Sequence, residues 1–161
     1  MKKRLFLRSV SLVAVMVLSA CASTPQPATI AETAARTPQL STLSRLIGQA
    51  GLGETLQGAG PFTVFAPSDD AFKAVPAETL AKLAADKELL KSVLTYHVLP
   101  GKVTSAELKS GPAKTVQGAS VALSKAGTFV TIEDAVVVTA DVPATNGVIH
   151  IVDRVLMPPK R

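Results

Sequence analysis

Leu40, Leu43, Leu46 and Ile47 recur at three- and four-residue spacing, the mark of one apolar stripe on a helix. Gly48, Gly51 and Gly53 break that stripe, so a second short helical turn is expected around Leu52 and Leu56, followed by a turn at "QGAGP". Phe62-Thr63-Val64-Phe65 is a short run of β-formers stopped by Pro67, which predicts a strand. Ser68 is then placed to cap a helix whose first turn holds Asp69 and Asp70, where carboxylates meet the positive end of the helix dipole. Two more helix starts follow. Pro76 suits the opening of "PAETLAKLAAD", and Asp86 can cap "KELLKSVLTYHVL"; Leu80, Leu83, Leu90, Val93 and Leu94 form their apolar faces. Pro100 and Gly101 stop the last one.

The period then changes from helical to alternating. Val121 and Leu123 alternate with Ser120, Ala122 and Ser124, and after a turn at "KAG" come Phe129-Val130-Thr131-Ile132 and Val136-Val137-Val138-Thr139. Asn146-Gly147 is a turn signal ahead of Val148-Ile149-His150-Ile151-Val152. Helices gather first and strands second, which predicts an α+β domain rather than alternating βαβ units.

Residues 1–20 do not belong to that domain. "MKKRLFLRS" is basic, and "VSLVAVMVLSA" is apolar but shorter than the roughly 20 residues that span a bilayer. A basic start, a short apolar run and small residues at its end make a secretory signal. The chain's one cysteine stands at its end, in Leu18-Ser19-Ala20-Cys21. This resembles the lipobox of bacterial lipoproteins, in which the thiol takes a diacylglyceryl group and becomes the new N-terminus. Stable anchoring needs more than one acyl chain, which lipobox processing supplies. Ala22, where an aspartate would favour retention in the inner membrane, points to the outer membrane of a Gram-negative cell. Residues 21–38, with Pro25, Pro27 and Pro38 among Ala and Thr, are expected to form a flexible tether, and 39–161 the domain.

Removing the signal changes the charge balance. The whole chain is +5, but Lys2, Lys3, Arg4 and Arg8 leave with the leader, so 13 basic residues face 12 acidic ones. The basicity belongs to export. With no Trp and one Tyr there is little aromatic surface for stacking bases, and nucleic acid is not an expected partner.

No chemistry-bearing cluster stands out. Consecutive helical residues point about 100° apart, so Asp69 and Asp70 do not converge as an acid–base pair. His97 and His150 are the only histidines, and neither sits in a His-Glu-x-x-His or Cys-x-x-Cys pattern, so no metal and no cofactor is expected. His150, alternating with Ile149 and Ile151, reads as a partly buried imidazole bonded to backbone. No Gly-x-Ser-x-Gly elbow occurs, and "GQAGLGETLQGAG" lacks the Gly-Lys-Ser/Thr of a phosphate loop.

Three blocks give the domain a family resemblance. "FTVFAPSDDAF", "LLKSVLTYHVLPGKV" and "NGVIHIVDRVLMP" resemble, in order and spacing, the first homology block, the central Tyr-His block and the second homology block of fasciclin-type (FAS1) domains, across roughly Thr37 to Pro159. The resemblance implies a β-wedge of about seven strands with helices packed on and around it. It also implies a non-catalytic module, monomeric as a domain, that binds an unidentified protein or an envelope or matrix component. Tyr96 and His97 match the family's Tyr-His recognition region and are the candidate binding residues, beside a structural role for both. The Asp-Ile dipeptides linked to integrin recognition do not occur, nor does Arg-Gly-Asp. The expectation is an exported adhesion module anchored to the envelope by lipid on Cys21; the alternative is a periplasmic carrier of a small apolar ligand.

Overall fold

The computed structural model describes residues 28–58 and 60–159; the leader, Cys21 and residues 22–27 lie outside them. Among the described residues there are six α-helices and seven strands, helices mostly first as expected. Helix α1 is Ile30–Arg36, α2 Ser41–Ala50 and α3 Gly53–Gln57. Strand β1 is Phe62–Pro67, after which come α4 Asp69–Lys73, α5 Ala77–Ala85 and α6 Lys87–Tyr96. The remaining strands are β2 Val98–Pro100, β3 Gly111–Lys114, β4 Ser120–Ala126, β5 Phe129–Ile132, β6 Ala135–Ala144 and β7 Gly147–Val152.

Two expected caps are present. The Ser68 hydroxyl accepts from Ala71 N–H, and the Asp86 carboxylate accepts from the N–H groups of Glu88 and Leu89, satisfying donors that a helix start leaves free. The expected tether is corrected in part. Residues 30–36 are helix α1, opened by a capping box in which Thr29 and Glu32 exchange hydrogen bonds. Its Ile30 and Ala34 are buried. Too few large apolar residues lie there for a helical stripe to show, and the helix is held from elsewhere: Ile30 N–H donates to Asn146 Oδ1 at 2.9 Å, and Thr145 N–H to Ala28 C=O at 2.9 Å. The last helix also ends earlier than the pattern suggested. It stops at Tyr96, and Val98–Pro100 pairs antiparallel with β1.

The strands form one sheet in the order β2-β1-β7-β6-β5-β4-β3. All neighbours are antiparallel except β1 and β7, which run parallel, Phe62 opposite Gly147 through Pro67 opposite Val152. Register shifts between Val137 and Val142 bend β6, as bulges do, with Asp141 at φ +58°. The two outer strands come close: past β3, Val116 N–H donates to Val98 C=O in β2 at 2.8 Å. The sheet is thereby a nearly closed wedge, with the helices packed against one side.

Two cores result. Val64 and Ala66 of β1, with Ile149 and Ile151 of β7, face the helices and join Leu43, Ile47, Leu83, Leu90 and Val93. Phe65 and Val152 face the opposite way and join Tyr96, Val121, Val130, Ile132 and Leu156 inside the wedge. Strands β1 and β7 are thus a shared wall buried on both faces, which is why each reads as a continuous apolar run. The turn between β6 and β7 needs Gly147 for space. A Cβ there would stand 1.9 Å from the Phe62 carbonyl oxygen.

Candidate functional site

Each residue singled out by the sequence has a definite place. Asp69 and Asp70 turn away from one another. The Asp69 carboxylate accepts from Ser41 Oγ at 2.6 Å and Thr42 N–H at 2.8 Å, at the start of α2, where the flanking Leu40 offers no side-chain cap. Partial burial pushes the Asp69 carboxyl up, but these hydrogen bonds outweigh it and hold its pKa below the ordinary value. Asp70 instead meets Lys73 Nζ at 2.8 Å on the exposed side of α4. One carboxylate caps a helix distant in sequence and the other solvates a surface turn. They share no substrate position.

Tyr96 and His97, at the end of α6, are 3 % and 2 % exposed. Both ring nitrogens of His97 are engaged. Nδ1 lies 2.7 Å from Val93 C=O and must carry the proton, while Nε2 accepts Leu156 N–H at 3.0 Å. Burial pushes this imidazole down to about 4, against the smaller opposing effect of the Val93 carbonyl. His97 therefore works as a neutral strut between α6 and the chain past β7. Burial likewise raises the Tyr96 phenol, helped by the charge of Glu133. As folded, the pair offers a partner almost no surface.

His150 is fully buried rather than partly, and is stacked on Phe65 with ring centroids 5.4 Å apart. Its Nε2 lies 3.0 Å from Val103 C=O, and its Nδ1 accepts Asp141 N–H at 3.2 Å, the opposite tautomer to His97. The Asp141 carboxylate takes hydrogen bonds from the Ser105 hydroxyl and N–H, and the hydroxyl's bond is the leading reason its pKa is held low. Ser, His and Asp thus meet, but wired for structure. A nucleophile needs its hydroxyl on the imidazole, whereas Ser105 donates to the carboxylate and His150 bonds only to backbone. Among the described residues no group of three or more His, Cys, Asp or Glu is placed to hold a metal ion.

Sequence reasoning missed one sizeable concavity. A groove of about 750 Å³ lies between α4, α5, α6 and the segment after β7. Buried Ala71, Leu83 and Val93 contribute to its lining, together with exposed Leu89 and Met157. The segment that closes it, 154–158, is anchored by the His97–Leu156 hydrogen bond. Met157 in "RVLMPPK" was a visible signal, an apolar residue past the last strand, but the groove draws on parts of the chain some 60 to 90 residues apart, which no local pattern brings together.

The fold and the matched residues place the chain in a family. Residues 38–158 match the fasciclin domain model, and the chain belongs to the fasciclin domain family. Among curated relatives it is 44% identical over 140 residues to protein sll1483 of Synechocystis sp., covering 86% of this chain and 78% of that one. It is 38% identical over 135 residues to the immunogenic protein MPB70 of Mycobacterium bovis, covering 81% and 69%. To the cell surface glycolipoprotein MPB83 of the same species it is 37% identical, covering 81% of this chain and 60% of the relative. In three dimensions it matches the FAS1 domain pair of the insect cell adhesion molecule fasciclin I, with a TM-score of 0.64 at 20% identity over 81% of this chain and 51% of that one. This last likeness speaks for the fold alone.

Proposed function

We propose that the protein is a non-catalytic interaction module of a bacterial cell envelope, held there by lipid on Cys21 and presenting its fasciclin domain to a protein or matrix partner. The observation that carries this is the likeness over most of the domain to a cell surface glycolipoprotein, together with "LSAC" at the end of an export signal. The interior of the domain supports it. The histidines, Asp69 and the Ser105–Asp141 contact are all committed to holding the fold. Among the described residues no helix is long and apolar enough to cross a membrane, and the attachment is assigned to the lipid on Cys21. Ala22 after the cysteine directs the anchored chain to the outer membrane of a Gram-negative host.

The test is metabolic labelling of growing cells with an alkyne-bearing fatty acid, followed by protease shaving of intact cells. The full chain is expected to carry the label, and Cys21→Ser to lose it without unfolding the domain. The domain is expected to be digested before a periplasmic control. A labelled Cys21→Ser chain would overturn the anchor. Protection until the envelope is opened would move the partner to the periplasm.

A further inference from the structure

The groove beside α4, α5 and α6 has a composition that selects for one kind of occupant. Ten of its thirteen lining residues are apolar, and the three polar ones are Thr79, Lys82 and Arg154. No Asp or Glu lines it. Among the described residues, neither the Lys82 ammonium nor the Arg154 guanidinium makes a hydrogen bond or ion pair. The concavity therefore offers an apolar bed with two cationic side chains not engaged in an ion pair, one from α5 and one from the segment after β7, although Arg154 also borders a concavity that Glu133 and Asp134 line.

Three of its four walls are helices. What those walls present is mostly apolar side chain, which gives a peptide backbone or a sugar ring few hydrogen-bond partners. A hydrocarbon chain needs no such partners. The volume of about 750 Å³ lies in the range of small-molecule sites, roughly 300–1,000 Å³. Leu89 and Met157 stay partly exposed in the lining, and a thioether side chain adapts to a flexible ligand.

We infer that this groove binds a single-chain acyl amphiphile with an anionic head, of the fatty-acid class, its chain along the apolar bed and its head held by Lys82 and Arg154. The inference stands on the groove and not on the tethering proposed above. A binding assay on the unlipidated chain can fail while the anchor stands, or succeed while the anchor fails.

The chain from Ala22 onward keeps every described element and both cores, and is titrated by calorimetry with laurate and with dodecyltrimethylammonium, a chain of equal length bearing a cation. One laurate per chain is expected, with the cationic homologue at least about tenfold weaker because it meets like charge. Lys82→Gln and Arg154→Gln are each expected to weaken laurate about two- to fivefold, the worth of an exposed ion pair. Leu89→Asp, which sets a carboxylate into the bed, is expected to weaken it more than about tenfold. All three side chains reach solvent, so an unchanged unfolding midpoint checks that the fold is kept. The inference is overturned by no laurate binding, by equal binding of the cation, or by full affinity in both glutamine variants. Saturable binding of an acidic helical peptide in place of laurate would assign the groove to a protein partner and overturn it as well.

Discussion

The helix-side core and the wedge core share β1 and β7 yet are built on opposite terms. On the helix side, apolar residues from α1, α2, α3, α4, α5 and α6 all join the one core that includes the shared wall. In the wedge, the sheet curls over Phe65, Tyr96 and Val152 and leaves its outer face to solvent, where Phe129 is 71% and Val138 65% exposed. The first arrangement joins many short elements at one surface and leaves a concavity where they fail to meet. The second closes on itself through backbone pairing. The groove described above thus lies on the side assembled from short, separate helices.

The comparison can be broken most severely at the wall that both cores use. Gly147→Ala would drive a Cβ into the Phe62 carbonyl, and because β1 and β7 serve both cores neither can form around it. The expected loss exceeds about 4 kcal/mol, read as failure to recover folded protein or as a collapsed urea midpoint. A variant folding normally would show that the β1–β7 spacing is more elastic than close packing allows.

A smaller break lies at His97, which joins the two sides through Val93 and Leu156. Its pKa is near 6.5 when unfolded and about 4 when folded. As pH falls from 6.5 toward 4, the unfolded chain takes up a proton that the native imidazole refuses, so stability is present above 6.5 and lost across that window. The loss is about 3 kcal/mol. Urea midpoints between pH 8 and 4 should follow this slope in the native protein and lose most of it in His97→Phe. Asp69, Asp141 and Glu107, whose carboxyls are held low, make their contribution at lower pH. An identical slope in both proteins would remove His97 from the account.

The smallest effect is confined to the helix side. Asp69→Ala removes the carboxylate that caps α2 from a distance and should cost about 1 kcal/mol. Amide exchange in the first turn of α2 should quicken while the wedge strands keep their protection. Equal acceleration in both would mean that the two cores open as one unit.

Much of this architecture was legible because its causes are local. The stripe of Leu43 and Ile47, the caps at Ser68 and Asp86 and the alternation of Val121 with Leu123 each follow from neighbours a few residues away. What escaped depends on distant partners. Helix α1 is held by Asn146, β2 exists because β1 offers an edge, and β3, "GPAK", is a strand only against β4. Candidate residues followed the same division. His150 was correctly read as bonded to backbone from its alternation alone, but the near-complete burial of Tyr96 and His97 depends on the chain past β7. Met157 apart, the groove has no local sequence signature, because its cations and its apolar bed come from three separate stretches.

The parallel pairing of β1 with β7 has a consequence in time. Phe62 and Gly147 are partners separated by 85 residues, so the wall between the cores closes only when almost the whole chain is present. Closing so long a loop costs entropy before any contact repays it. A nascent chain, with β1 made and β7 still to come, has only the short β2 beside β1 and helices without the wall they rest on. The domain thus completes itself last at its centre, and a chain cut short before Val152 would lose both cores together rather than one.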